Sequence, residues 1–123
     1  MMILAMGWMV ACGADEGREA VWEAIEAGAL VVDVRTKAEF ESGHLEGAIH
    51  VPYERTAELA AAIGEDKQRA VVVYCRTGRR SGIAREALAK LGYVNIINGG
   101  GYDQLRLHVR PSADQDNRPA RTD

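Results

Sequence analysis

Two cysteines in 123 residues, Cys12 and Cys75, are too few for a disulfide framework, and neither stands in a CxxC pair or in a Cys/His cluster with zinc spacing. A structural metal is not expected. Basic residues are scarce as well: 15 Lys and Arg against 18 Asp and Glu leave a formal net charge of -3, where a nucleic-acid-binding domain carries a basic excess. Any anion site must be local. The longest apolar stretch, residues 2–11, falls short of the ~20 residues that span a bilayer. Of three prolines, two lie in RPSADQDNRPARTD (110–123), which has almost no apolar side chain and reads as a disordered polar tail. What is there, with 47% hydrophobic and 27% charged positions, is an ordinary globular chain with room for one core.

Apolar periodicity divides that chain into alternating elements. EGREAVWEAIEAG places Val21, Trp22 and Ile25 on one helical stripe and stops at Gly28. LVVDV (30–34) is short, β-branched and almost wholly apolar, as suits a strand covered on both faces. AEFESG is expected to form a short helix ending at Gly43, AIHVP (48–52) a strand halted by Pro52, and ELAAAIG a helix ending at Gly64. AVVVY (70–74) is the clearest buried strand. Beyond it Ala84, Ala87, Leu88 and Leu91 follow i, i+3, i+4, i+7, which predicts an amphipathic helix from Ser81 to Gly92. NIIN (95–98) reads as a last strand and GGGYDQLRL as a turn into a short helix. The alternation predicts an α/β fold, a central four- or five-stranded, mainly parallel sheet with helices on both faces.

The chemistry concentrates in YCRTGRRSG (74–82), where one cysteine, three arginines and two glycines follow the strand AVVVY. Ligands in open α/β sheets bind at the carboxyl ends of strands, ahead of a helix N-terminus, and Cys75 stands at such a place. A tight loop over residues 76–80 would turn its N–H groups inward, adding to the positive end of the helix dipole. Thiols in such surroundings have their pKa lowered from about 8.5. Cys75 is therefore the candidate nucleophile. A free cysteine often serves as a small buried hydrophobe, but that role needs no arginines or glycines beside it. Arg76, Thr77, Gly78, Arg79 and Arg80 form the candidate substrate cradle, and of the arginines Arg79 is the favoured anion contact.

Three separated segments resemble the single-domain rhodaneses, which are thiosulfate or persulfide sulfurtransferases. VVDVRTKAEFESGHLEGAIHVP (31–52) resembles their DVR…E(F/Y)…GH(I/L) signature, with Glu46 where proline is common and His50 where asparagine is usual. YCRTGRRS (74–81) resembles the active-site loop, and LGYVNIINGGGYDQL (91–105) the closing GY…GG segment. The resemblance implies a rhodanese-like domain over 17–109 that needs no cofactor. It implies attack by Cys75 on a small anionic sulfur donor such as thiosulfate, and delivery of the sulfur from a persulfide to cyanide or a thiol. Asp33, Arg35 and His44 belong to the signature, and each reads as structural rather than catalytic. The related cysteine phosphatases place an arginine after five intervening residues; here that position is Ser81, and the loop closes one residue earlier at Arg80. A sulfur carrier or binding module serving a protein partner, with little turnover on thiosulfate, is the alternative to an enzyme.

Residues 1–16 read as an apolar leader. Residues 2–11 fit the apolar region of a signal peptide, and MVAC resembles a lipoprotein cleavage box with Cys12 as the acylated residue. On that reading the protein resides in the periplasm or cell envelope, as the compact rhodaneses of the phage-shock type do. If the leader is instead a first strand of the sheet, the protein is cytoplasmic.

Overall fold

A computed structural model describes residues 14–107, so most of the leader, Cys12 and the tail from 110 lie outside the described residues. In chain order the elements are α1 (Ala14–Glu26), β1 (Leu30–Asp33), α2 (Lys37–Glu41), β2 (Ile49–His50), α3 (Thr56–Ile63), β3 (Val71–Cys75), α4 (Arg79–Lys90), β4 (Ile96–Gly101) and α5 (Tyr102–Arg106). The strands form one sheet in the order β2-β1-β3-β4, and every neighbouring pair is parallel.

The strand pleat decides which helix covers which face. Val32, Val34, Val71, Val73 and Cys75 point to one side and meet Leu59 and Ile63 of α3 and Ala84 and Leu88 of α4. Val31, Val72 and Tyr74 point to the other side and meet Val21 of α1 and Leu105 of α5. The unbroken apolar runs of β1 and β3 therefore reflect burial on both faces. Both outer strands differ from the sequence reading. Of AIHVP only Ile49 and His50 pair in the ladder, on the outer edge where Pro52, lacking an N–H, ends regular pairing. β4 runs on to Gly101, through glycines that were expected to turn.

The order of the strands opens the site. After β1 the chain pairs β2 on one side and then returns to place β3 on the other, so a crevice forms beyond the carboxyl ends of β1 and β3. A buried ion pair holds one wall of it. Asp33 and Arg35, 0% and 5% exposed, face each other through Nη2–Oδ2 at 2.6 Å and Nε–Oδ1 at 2.9 Å. The Arg35 amide also donates to Oδ1, and Arg35 Nη2 donates onward to the Gly43 carbonyl at 2.7 Å. The guanidinium lies over the Tyr102 ring, 4.5 Å from its centroid, and the Tyr74 hydroxyl accepts from Leu45 N–H at 3.0 Å. Together these contacts fasten the turn between α2 and β2 to the centre of the sheet. His44, on that turn, stacks on Phe40 at 3.7 Å, and its Nδ1 lies 2.8 Å from the Phe40 carbonyl oxygen.

Replacing Arg35 with methionine keeps the bulk but leaves the Asp33 carboxylate buried without its partner. We expect Arg35→Met to lose about 3–5 kcal/mol of stability, read from urea unfolding. A loss below about 1 kcal/mol, the scale of an exposed pair, would mean that the pair is not a clamp.

Candidate active site

β3 ends at Cys75, the chain turns through Arg76, Thr77 and Gly78, and α4 begins at Arg79. The helix was expected to begin at Ser81, so the irregular loop is shorter than the reading of 76–80, and Arg79 and Arg80 lie in the first helical turn. Gly78 is the residue before that turn and has φ 99, a left-handed conformation that favours glycine. This geometry turns two amides onto the sulfur. Gly78 N–H donates to Cys75 Sγ at 2.9 Å and Ser81 N–H at 3.4 Å, while Ser81 Oγ lies 3.5 Å away.

Cys75 is fully buried. Burial alone pushes its thiol pKa up, but the Ser81 hydroxyl and the amides of Ser81, Gly78 and Thr77 outweigh it, and the net shift is downward. Hydrogen bonds from Ser81 and the loop amides lead in favouring the thiolate, and the Arg80 guanidinium also interacts with the sulfur through charge.

The loop is pressed against the end of β4, which explains the glycine at 101. A Cβ added at Gly101 would sit 2.6 Å from the Arg76 carbonyl oxygen, and one added at Gly78 would sit 3.3 Å from Gly100 Cα. Contact this close to main chain leaves no side chain that could swing aside. Register between β3 and β4 also shifts between Val73 and Cys75, so the strand ends out of step where the loop begins.

The three arginines are not equivalent. Arg80 grips Glu39 of α2 with two bonds, Nη1–Oε1 at 3.0 Å and Nη2–Oε2 at 3.3 Å, and Arg76 lies 3.9 Å from the same carboxylate. Glu39 is pulled down to about 2, first by Arg80, against opposition from burial, with help from Thr36. Thr36 and Glu39 also form a capping box at the start of α2. One carboxylate thus ties the first turn of α4 to the first turn of α2. Arg79 is exposed and forms no ion pair among the described residues, which leaves its charge available. Thr77 is exposed as well, its Oγ1 3.5 Å from Arg79 N.

The structure thus gathers Cys75, Arg76, Thr77, Gly78, Arg79 and Arg80 at one strand end, with Asp33 and Arg35 buttressing the neighbouring strand. His44 keeps to its own turn. Three contributors were absent from the sequence reading. Glu39 lay inside the quoted signature and Ser81 directly after the loop, where a hydroxyl at a helix start is a recognisable donor. Asn98 carried no signal, because only tertiary structure brings it against Gly78 and Ser81. Among the described residues no group of three or more His, Cys, Asp or Glu could hold a metal.

Comparisons with known proteins agree with this geometry. The family described as rhodanese-like domain matches residues 18–107. The thiosulfate sulfurtransferase PspE of Escherichia coli is 37% identical over 76 residues, 62% of this chain and 73% of that protein. A sulfurtransferase of Allochromatium vinosum is 38% identical over 83 residues, 67% of this chain and 76% of its own. YqhL of Bacillus subtilis, 39% identical over 75 residues, is spanned over only 58% of its length. Among solved structures, a rhodanese with anions from E. coli superposes with a TM-score of 0.58 at 37% identity, covering 62% of this chain and 89% of that one.

Gly101 has ordinary extended backbone, φ -96 and ψ 143, so alanine there is penalised only by its collision with Arg76. Gly101→Ala should push the loop outward and weaken the Gly78 and Ser81 bonds to sulfur. The Cys75 pKa then rises by about one unit, the worth of one hydrogen bond. Thiolate ultraviolet absorbance against pH, with Cys75→Ser as the blank, measures it. An unmoved titration would show that β4 yields and the loop does not.

Proposed function

The chain belongs to the rhodanese-like family, and on that premise we propose that it is a sulfurtransferase that carries sulfane sulfur on Cys75, from thiosulfate or a persulfide to cyanide or a thiol. The observation that carries the proposal is the sulfur's setting. A buried Sγ faces the inward amides of a loop that closes at Arg80, with Ser81 where the phosphatase loop has its arginine.

The thiolate attacks the outer sulfur of thiosulfate, the new S–S bond forms as the old one breaks, and the electron pair leaves with sulfite. Thiolate and thiosulfate dianion become persulfide anion and sulfite dianion, so charge and atoms balance without a proton. Cyanide then takes the outer sulfur as thiocyanate, and the Cys75 thiolate returns. This is two-step covalent catalysis. The amides of Gly78 and Ser81 donate to Sγ and so support its thiolate before attack and when it returns. Arg79, which forms no ion pair among the described residues, supplies the guanidinium for the anionic donor, and Arg76, 74% exposed, is the more weakly held of the two that face Glu39. The apolar residues 2–11 ahead of Cys12 support a place at the cell envelope, which recovery of acylated chain from membranes would test.

Turnover of thiosulfate and cyanide by the full chain, abolished in a folded Cys75→Ser variant, is the expected result. Retained activity in that variant would overturn the assignment of the nucleophile. Persulfide formation without turnover would favour a carrier that hands sulfur to a protein partner.

Arg79→Ala should raise KM for thiosulfate about tenfold, equivalent to one charge-assisted bond, while an uncharged persulfide donor is affected little. Equal losses on both donors would give Arg79 a role in shaping the loop only.

A further inference from the structure

Ser81 Oγ carries one proton and has three acceptors around it. Asn98 Oδ1 is 2.6 Å away, the Gly78 carbonyl oxygen 3.2 Å and Cys75 Sγ 3.5 Å. The orientation of the Asn98 amide is fixed by its other partners. Gly100 N–H donates to Oδ1 at 3.0 Å, and Nδ2 donates to the Gly78 carbonyl at 3.1 Å, so the group that faces Ser81 is an acceptor. Gly82 makes room for it: a Cβ there would lie 3.3 Å from Asn98 Nδ2.

We propose that Asn98 is a positioning residue for Cys75, its Oδ1 competing with the cysteine sulfur for the single hydroxyl proton of Ser81. With a neutral thiol, the Cys75 S–H points to Ser81 Oγ and the Ser81 hydroxyl points to Asn98, a chain of two bonds. With a thiolate, the hydroxyl turns to Sγ. Asn98 Oδ1 then keeps the Gly100 N–H, so the rotation leaves no buried acceptor unpaired. The proton stays on Ser81 in both arrangements, and no atom is transferred.

The inference rests on Cys75 being the sulfur-carrying nucleophile, yet it concerns the resting thiol and is read without any donor. The charged and titratable groups around Cys75 are Arg80 of α4, Glu39 of α2 that holds it, Arg76 and Arg79 of the loop and first turn, and Tyr53 after β2. β4, IINGGG, carries no charged or titratable side chain. None of the charged groups is altered by the substitutions that follow.

The test is titration of the Cys75 thiolate by ultraviolet absorbance in the full chain, with Cys75→Ser as blank. Ser81→Ala removes the hydroxyl donor and should raise the pKa by about one unit. Asn98→Ala removes the competitor and should lower it by a similar amount. The double variant should match Ser81→Ala alone, because Asn98 then has no proton to withhold. A rise in Asn98→Ala, no change, or additive shifts in the double variant would overturn the proposal, since an Asn98 that merely braces the loop produces those results. If Asn98→Ala does not fold, Asn98→Asp keeps the contacts to Ser81 and Gly100 and should raise the pKa. That rise should be larger with Ser81 present than in the Ser81→Ala background, and equal rises would overturn the proposal. Loss of thiosulfate turnover with these titrations intact would count against the sulfurtransferase reading and not against Asn98.

Discussion

A sulfur held out of water resists ionisation, and the architecture around Cys75 works against that resistance. Burial of Sγ is the largest influence on its pKa and points the wrong way for a nucleophile. It is overcome only because several fixed N–H and O–H donors converge on one atom. Their convergence requires a backbone that reverses within three residues and stays reversed, hence a left-handed Gly78. A loop so tight must rest on something flat, hence the glycine at Gly101 beneath it. The sheet edge must also not drift, hence the Asp33–Arg35 pair that locks β1 to the turn beside it.

Charge has a second place in this scheme. Arg80 and Arg76 both face Glu39, so much of the loop's apparent positive charge is balanced by one carboxylate, and that carboxylate also caps α2. The sign of each pH dependence follows. Glu39 has its pKa lowered by folding, so its contribution to stability is complete above the ordinary carboxylate range near 4.5 and fades as pH falls toward about 2. Cys75 is lowered as well, so its contribution is complete above the unfolded thiol value near 9.0 and lost as pH falls through the folded one. Above the carboxylate range the Glu39–Arg80 link is at full strength, whichever charge the sulfur carries. The loop can therefore change the charge on its sulfur without loosening its anchor.

How much of this the sequence disclosed depended on whether a feature was local. The buried strands β1 and β3 and the helix α4 announced themselves through unbroken β-branched runs and a 3.6-residue period, and Cys75 with its basic loop stood out as a cluster. Their placement on a parallel sheet followed from the alternation of elements. Less legible was anything set by contact between distant segments. The GGG of β4 has the composition of a turn, and the strand continues through it because Gly101 packs against the Arg76 carbonyl of a loop distant in sequence. Arg80 looked like an anion contact because its partner Glu39 is 41 positions away. Asn98, 17 positions from Ser81, gave no pattern to read.

Glu39 also bears on the balance between donor and product. Thiosulfate and sulfite are both dianions, so a cation that pairs equally with each lowers KM without speeding the chemical step and slows release of sulfite. Three uncompensated charges would be worse than one in that respect, and the structure leaves Arg79 as the loop cation without an ion pair among the described residues. Sγ gives up charge as it attacks thiosulfate and regains it when the acceptor takes the outer sulfur and the Sγ–S bond breaks. In that second step selectivity for the transition state comes from groups aligned on Sγ, the Gly78 and Ser81 amides and the Ser81 hydroxyl, which contact it at 2.9, 3.4 and 3.5 Å. Neutral donors of this kind favour the returning thiolate without holding the sulfite dianion, so the nucleophile of a basic loop is served first by the Ser81 hydroxyl and the loop amides.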